Sequence, residues 1–146
     1  MKELRYEISI NSSREEVWDL MLGSDSYNKW AISFSTNSMF EGEWKQGSSI
    51  KFIDPDIGGT KAFLEVFKPF EQILARHTTL ISVDGSEDTD SDEAKTWIGT
   101  TENYSFSESE GRTRLVVTMN TDDKYIEMFD ASWPKALTKL KHLCEE

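Results

Sequence analysis

The stretch ELRYEISINSSREEVWDLM, residues 3–21, changes its hydrophobic period at the middle, and that change decides the fold. In the first half Leu4, Tyr6, Ile8 and Ile10 alternate with Glu3, Arg5, Glu7 and Ser9. An extended chain points successive side chains to opposite faces, so this is a strand with one face buried. In the second half Ser13 stands three positions before Glu16 in a capping box, and Val17, Leu20 and Met21 follow at helical spacing. The helix is predicted to stop at Gly23. Residues 24–31, SDSYNKWA, read as a further short helical turn opened by Ser24 or Asp25 and carrying Tyr27 and Trp30.

From about residue 35 to 120 the apolar runs become short and are separated by turn clusters. Strand-like runs fall near 35–41, 49–54, 60–69, 71–82, 95–107 and 112–120. Turns are predicted at Gly47-Ser48-Ser49, Asp54 to Gly59, Pro69-Phe70-Glu71 and Glu110-Gly111-Arg112. The connections are too short for parallel crossovers, so the sheet is predicted to be an antiparallel meander. Beyond Asp123 the helical period returns: Tyr125, Phe129, Ser132, Trp133, Ala136, Leu137, Leu140, Leu143 and Cys144 share one face. Pro134 interrupts this pattern and predicts a kink, or a helix restarted with Ser132 as its cap. Strand, short helices, six or so strands and a long terminal helix make an α+β chain, expected to be a single domain over residues 1–146.

Composition narrows the partners. The 16 Lys and Arg against 27 Asp and Glu leave a net charge of −11. That charge opposes the counterion release that drives binding to phosphate backbones, and it disfavours anionic lipid surfaces. Neither nucleic acid nor a membrane is an expected partner. Aromatic residues make up 12% of the chain, enough either to pack a dense core or to line a space within it. Cys144 is the single cysteine, which excludes a disulfide framework and a cysteine metal site. No run of residues is long and apolar enough for a membrane span or a signal peptide, so a soluble, reducing, cytoplasmic setting is expected.

No motif-grade catalytic constellation occurs. Residues 84–93 hold six acids in ten positions, and Asp88, Asp90 and Asp92 match the opening of a calcium loop. Its sixth and twelfth positions are Glu93 and Gly99 instead of the required glycine and glutamate, so the run reads as a solvated hairpin loop. Two histidines without acid partners at ligand spacing predict no metal, and no cofactor motif is present. His77 falls on the face of its strand shared by Ile73, Ala75 and Thr79, either as a bonded core residue or as an acid–base group facing a cavity. Glu102 shares a face with Ile98, Thr100, Tyr104 and Phe106; if that face is interior, a carboxylate is buried at a cost of several kcal/mol unless it is paired. The opposite parity would put Trp97, Gly99 and Thr101 inside and Glu102 in water.

Taken together, Ile8-Ser9-Ile10, Ser13 to Met21, Tyr27-Asn28-Lys29-Trp30, Phe40 to Ser48, Gly111 to Val117 and Trp133 to Lys141 resemble the START-like (SRPBCC) superfamily. Within it the chain looks most like the branch related to the C-terminal domain of the activator of the ninety-kilodalton heat-shock chaperone's ATPase, the AHSA-type domain. The resemblance covers essentially the whole chain. It implies a helix-grip fold, with a curved antiparallel sheet wrapped around the C-terminal helix and a hydrophobic cavity between them. Strand parity would then bring Trp30, Phe40, Phe52, Phe63, His77, Glu102, Tyr104, Met119, Met128, Phe129 and Trp133 to the cavity wall.

The resemblance implies three functions of different kinds. The first is binding of a small, mostly apolar ligand, lipid- or polyketide-like. The second is a protein-binding, co-chaperone-like module, although the activator's separate N-terminal domain has no counterpart in these residues. The third is a cyclase- or hydrolase-type enzyme using the same cavity, with His77 or Glu102 as acid–base and Tyr104 orienting the substrate. The chain is expected to be a binder rather than an enzyme.

Overall fold

The computed structural model describes all 146 residues. Strand β1 (Lys2–Ile10) leads into helix α1 (Arg14–Leu22), where the Ser13 hydroxyl accepts the Glu16 backbone N–H at 3.2 Å. Gly23 ends the helix, and α2 (Tyr27–Ala31) follows. The strands β2 (Met39–Glu41), β3 (Ser49–Asp54), β4 (Gly58–Lys68), β5 (Gln72–Ile81) and the two-residue β6 (Glu87–Asp88) come next. Helix α3 (Asp92–Trp97) precedes β7 (Thr101–Ser109) and β8 (Arg112–Thr121), and a single 3-10 turn leads to helix α4 (Ile126–Glu145). No helix is long and apolar enough to cross a membrane.

All pairings are antiparallel, in the order β1-β8-β7-β5-β4-β3-β2, with β6 paired to the end of β5. The middle of the chain is therefore a meander, and the first strand closes it by lying against the last. Alternation in β5 and β8 is strict: Ile73, Ala75, His77, Thr79 and Ile81 are buried on one strand, and Thr113, Leu115, Val117, Met119 and Thr121 on the other. These faces meet the buried stripe of α4, which comprises Phe129, Trp133, Ala136, Leu137, Leu140 and Cys144. Two ties hold the helix to β1. Tyr6 donates its hydroxyl to Asp130 at 2.7 Å, and Lys141 donates to the Ser9 carbonyl at 2.9 Å. This is the helix-grip α+β arrangement.

Four sequence expectations need correction. Residues 95–97, expected to start a strand, lie instead in the helix Asp92–Trp97, because the Ser91 hydroxyl caps the Ala94 N–H at 3.0 Å and Asp92 and Glu93 occupy the dipole-favoured first turn. The run near 35–41 contributes only Met39–Glu41 to the sheet. Gly58 and Gly59 open β4 rather than ending a turn: a Cβ on Gly59 would lie 1.9 Å from the Phe52 carbonyl oxygen, so only glycine lets β3 and β4 approach there. Helix α4 runs through Pro134 without restarting at Ser132. Pro134 is exposed, while residues before and after it lie in one buried stripe, and that packing outweighs the lost backbone bond.

Candidate functional site

The space between the sheet and α4 is not filled by side chains. A cavity of about 620 Å³ remains, walled by the sheet, by Tyr27 and Trp30 of α2, by Trp97 of α3 and by Met128, Phe129 and Trp133 of α4. Aromatic rings line it in two groups: Trp30 and Trp133 stack at 6.1 Å between centroids and Phe34 meets Trp133 at 4.9 Å, while Trp97 meets Phe129 at 6.1 Å. At the mouth stand four apolar side chains left in water: Ile57 (67% exposed), Val83 (61%), Met128 (43%) and Met39 (37%).

At the inner end three polar side chains converge from two neighbouring strands. Ala75 of β5 pairs with Glu102 of β7, and Ile73 pairs with Tyr104, so Glu102 and Tyr104 share the buried face on which His77 also lies. The His77 backbone is fixed just before β7 begins, its N–H donating to Thr100 and its carbonyl accepting from Gly99, both at 2.8 Å. Tyr104 donates its hydroxyl to Glu102 Oε2 at 2.5 Å. His77 Nε2 lies 3.5 Å from Glu102 Oε1, close enough for attraction but outside hydrogen-bond geometry, and neither ring nitrogen has a protein partner. The ring of Trp97 meets the His77 imidazole edge-on at 5.6 Å, and its indole N–H donates to the Tyr125 hydroxyl at 3.1 Å.

The electrostatics follow from burial and from these neighbours. The side chain of Glu102 is only 13% exposed. Burial works against its charged form, while the His77 imidazole and the Tyr104 hydroxyl favour that form more strongly, so the carboxyl sits below the usual carboxylate range. Burial and then the Glu102 charge push the Tyr104 phenol well above its ordinary value, and the same two causes raise Tyr27. At neutral pH the arrangement is a carboxylate beside two protonated phenols.

Of the residues expected at the wall, Trp30, Phe52, His77, Glu102, Tyr104, Met128, Phe129 and Trp133 line the cavity. Phe40, Phe63 and Met119 do not. Phe63 is on the opposite face of the sheet, beneath the Arg76 guanidinium, because Ala62 and not Phe63 stands opposite His77. Phe40 packs behind the wall, between Tyr27 and Trp44. Met119 pairs with Glu102 but also with Leu4, and it belongs to the packed core near the β1 edge. Tyr27, Phe34, Trp97 and Tyr125 were not placed at the wall by strand parity, yet they line it. The signal for Trp97 was present in Ser91-Asp92-Glu93, a cap followed by an acidic first turn.

Fold and cavity together define a START-like domain. Residues 11–145 match the family described as "Activator of Hsp90 ATPase homolog 1-like protein", and the chain belongs to it. No curated protein matches the chain. Among solved structures it is similar to an Aha1 dimer from Colwellia psychrerythraea (20% identity, 99% of this chain and 97% of that one, TM-score 0.75). It is also similar to DynU16, a putative protein of the dynemicin biosynthetic locus (14% identity, TM-score 0.72); 99% of this chain is covered but only 48% of that one, so the chain spans about half of DynU16. A third likeness is CalU16 from Micromonospora echinospora (13% identity, 94% of this chain and 73% of that one, TM-score 0.64). At these identities the likeness establishes a shared fold.

Proposed function

We propose that the chain binds a small, mostly apolar ligand between the sheet and α4. The observation that carries this reading is the pairing of an aromatic cavity with buried polar atoms that no protein group meets. Specific pockets measure about 300–1,000 Å³ and are mostly apolar with a few placed polar groups, and the 620 Å³ cavity with Glu102, Tyr104 and His77 at its inner end fits that description. Buried polar atoms nearly always have partners, yet both ring nitrogens of His77 and the indole nitrogen of Trp133 have none in the protein. The apolar side chains at the mouth favour entry of a nonpolar body.

The test is native mass spectrometry of protein purified from its own host. A stoichiometric small molecule, released on denaturation and absent when Thr60 in the wall is replaced by Trp, is the expected result. Protein that is empty from every preparation, and indifferent to apolar probes in solution, would refute the reading.

An enzyme is the second reading, favoured by the contact of His77, Glu102 and Tyr104 at one point of the wall. Acid–base chemistry needs such groups within reach of a common atom. Re-incubating the recovered molecule with fresh protein separates the two: a change of mass that Glu102→Gln abolishes supports catalysis, and recovery unchanged supports binding alone.

A further inference from the structure

The wall of the cavity carries four acids, Asp54, Asp88, Glu93 and Glu102, against one histidine, His77, and neither lysine nor arginine lines it. Three of those carboxylates are accounted for locally. Asp54 accepts the backbone N–H groups of Asn37 and Asp56 at 3.0 and 2.9 Å. Asp88 accepts from the Asp90 and Ser91 N–H groups, both at 3.0 Å, and from the Ser91 hydroxyl at 2.6 Å. Glu93 is exposed in the first turn of α3, where the helix dipole favours it.

Glu102 has no such account. A carboxylate has about four acceptor sites, and this one receives a single hydrogen bond, from Tyr104. Withdrawing a carboxylate from water costs several kcal/mol unless a cation or several donors offset it. The one neighbour able to carry positive charge is His77, 3% exposed, whose two ring nitrogens lack hydrogen bonds. The surroundings of this carboxylate are aromatic: Tyr104 touches it through its hydroxyl, Trp133 stands 5.9 Å from the Tyr104 ring, and Trp97 stands 5.6 Å from His77. An ammonium is attracted to aromatic faces by about 0.5–2 kcal/mol per ring. An anionic head group would instead meet four acids, with no lysine or arginine and only His77, already beside Glu102, to set against them.

We propose that the cavity selects ligands that join an apolar body to one ammonium group, and that Glu102 receives the ammonium. This specifies the ligand class of the binding reading above and rests on it. Fatty acids and phosphate-bearing lipids are excluded by the same charges that attract an amine. The net −11 of the chain adds a general attraction for cations, so the selectivity has to be traced to Glu102 itself.

The experiment titrates the full chain in 0.15 M salt, where surface attraction is screened beyond about 8 Å, and follows the fluorescence of the wall tryptophans. The probes are decyltrimethylammonium, decanoate and decanol below their aggregation limits. The ammonium is expected to bind at least tenfold tighter than decanoate. Glu102→Gln should cut that preference below threefold, whereas Glu41→Gln, which removes the same charge from exposed β2, should leave it unchanged. Should Glu102→Gln fail to fold, NOEs from the N-methyl protons to the Tyr104 and Tyr27 rings in the unaltered protein replace it, and their absence overturns the proposal. Equal binding of decanoate, or a preference that Glu41→Gln lowers as much as Glu102→Gln does, also overturns it. If decanol binds in the cavity with no ammonium preference, this inference fails and the binding reading stands; if none of the three binds, both fail.

Discussion

Tyr104 and Glu102 lie two residues apart on β7, and the phenol donates to the carboxylate at 2.5 Å inside the molecule. Because β-strand side chains repeat every second residue, both groups face the cavity, Tyr104 buried and Glu102 13% exposed. Their bond is therefore the natural place to perturb the site. Tyr104→Phe removes the only hydrogen bond to a buried charge and should cost about 1.5–3 kcal/mol in urea unfolding at pH 7. In a Glu102→Gln background the same change should cost clearly less; equal costs in both backgrounds would show that the two groups do not act together.

Acid should act through Glu102 as well. Its folded pKa lies below the unfolded one, so its contribution to stability is fully present above the unfolded value and is lost as pH falls through the folded value. Proton binding to the unfolded chain then favours unfolding below about pH 4.3. Glu102→Gln should flatten the fall of stability with pH in that window, and urea midpoints from pH 6 to pH 2.5 measure it. Parallel curves for the two proteins would remove Glu102 from the account.

Gly59→Ala should be severe and Gly47→Ala mild. A methyl on Gly59 collides with the Phe52 carbonyl of the neighbouring strand, whereas Gly47, at φ +79, has open space around it. Thermal and urea unfolding should show a loss of at least about 3 kcal/mol, or no folded protein, for the first. The second should cost about 1 kcal/mol from backbone strain alone.

Pro134→Ala should stabilise. The ring is exposed, so nothing packed is lost, and alanine restores an N–H for the Asp130 carbonyl. The helix penalty of about 3 kcal/mol, less about 1 kcal/mol for the extra freedom of the unfolded chain, leaves a gain of about 2 kcal/mol in the free energy of urea unfolding. Destabilisation would mean that the proline holds a bend the packing requires.

Cys144 should resist alkylation. Burial, then the charges of Glu16 and Glu145, push its thiol up to about 12. Iodoacetamide at pH 8, read by mass, should modify the native protein at least tenfold more slowly than the protein in urea.

Strand β1, helix α1 and the stripe of α4 were legible because their hydrophobic periods run uninterrupted, whereas β7 alternation allowed two parities for Glu102 and Tyr104, and only the family resemblance favoured the interior one. The wall was less legible. Phe63 depends on register between β4 and β5, which shifts between Lys61 and Ala62, and no single-strand pattern contains that shift. Trp97 was assigned to a strand because Trp97, Ile98 and the threonines after it favour extended structure locally, while the Ser91 cap and Gly99, at φ +92, confine the chain to one and a half helical turns. Met119 and Phe40 face inward, as parity requires, but whether an inward residue borders empty space or other side chains is a property of the assembled packing.

The pairing of β1 with β8 has a consequence for biosynthesis. Of the strands in this sheet, β1 leaves the ribosome first; it has a single neighbour, and that neighbour, β8, is the last of the sheet to be made. At roughly 5–20 residues per second the strand waits on the order of ten seconds, its apolar edge unprotected, before it has anything to pair with. Nascent chains truncated within β8 should accordingly be protease-sensitive throughout, and a holdase that covers residues 2–10 should raise the folded yield.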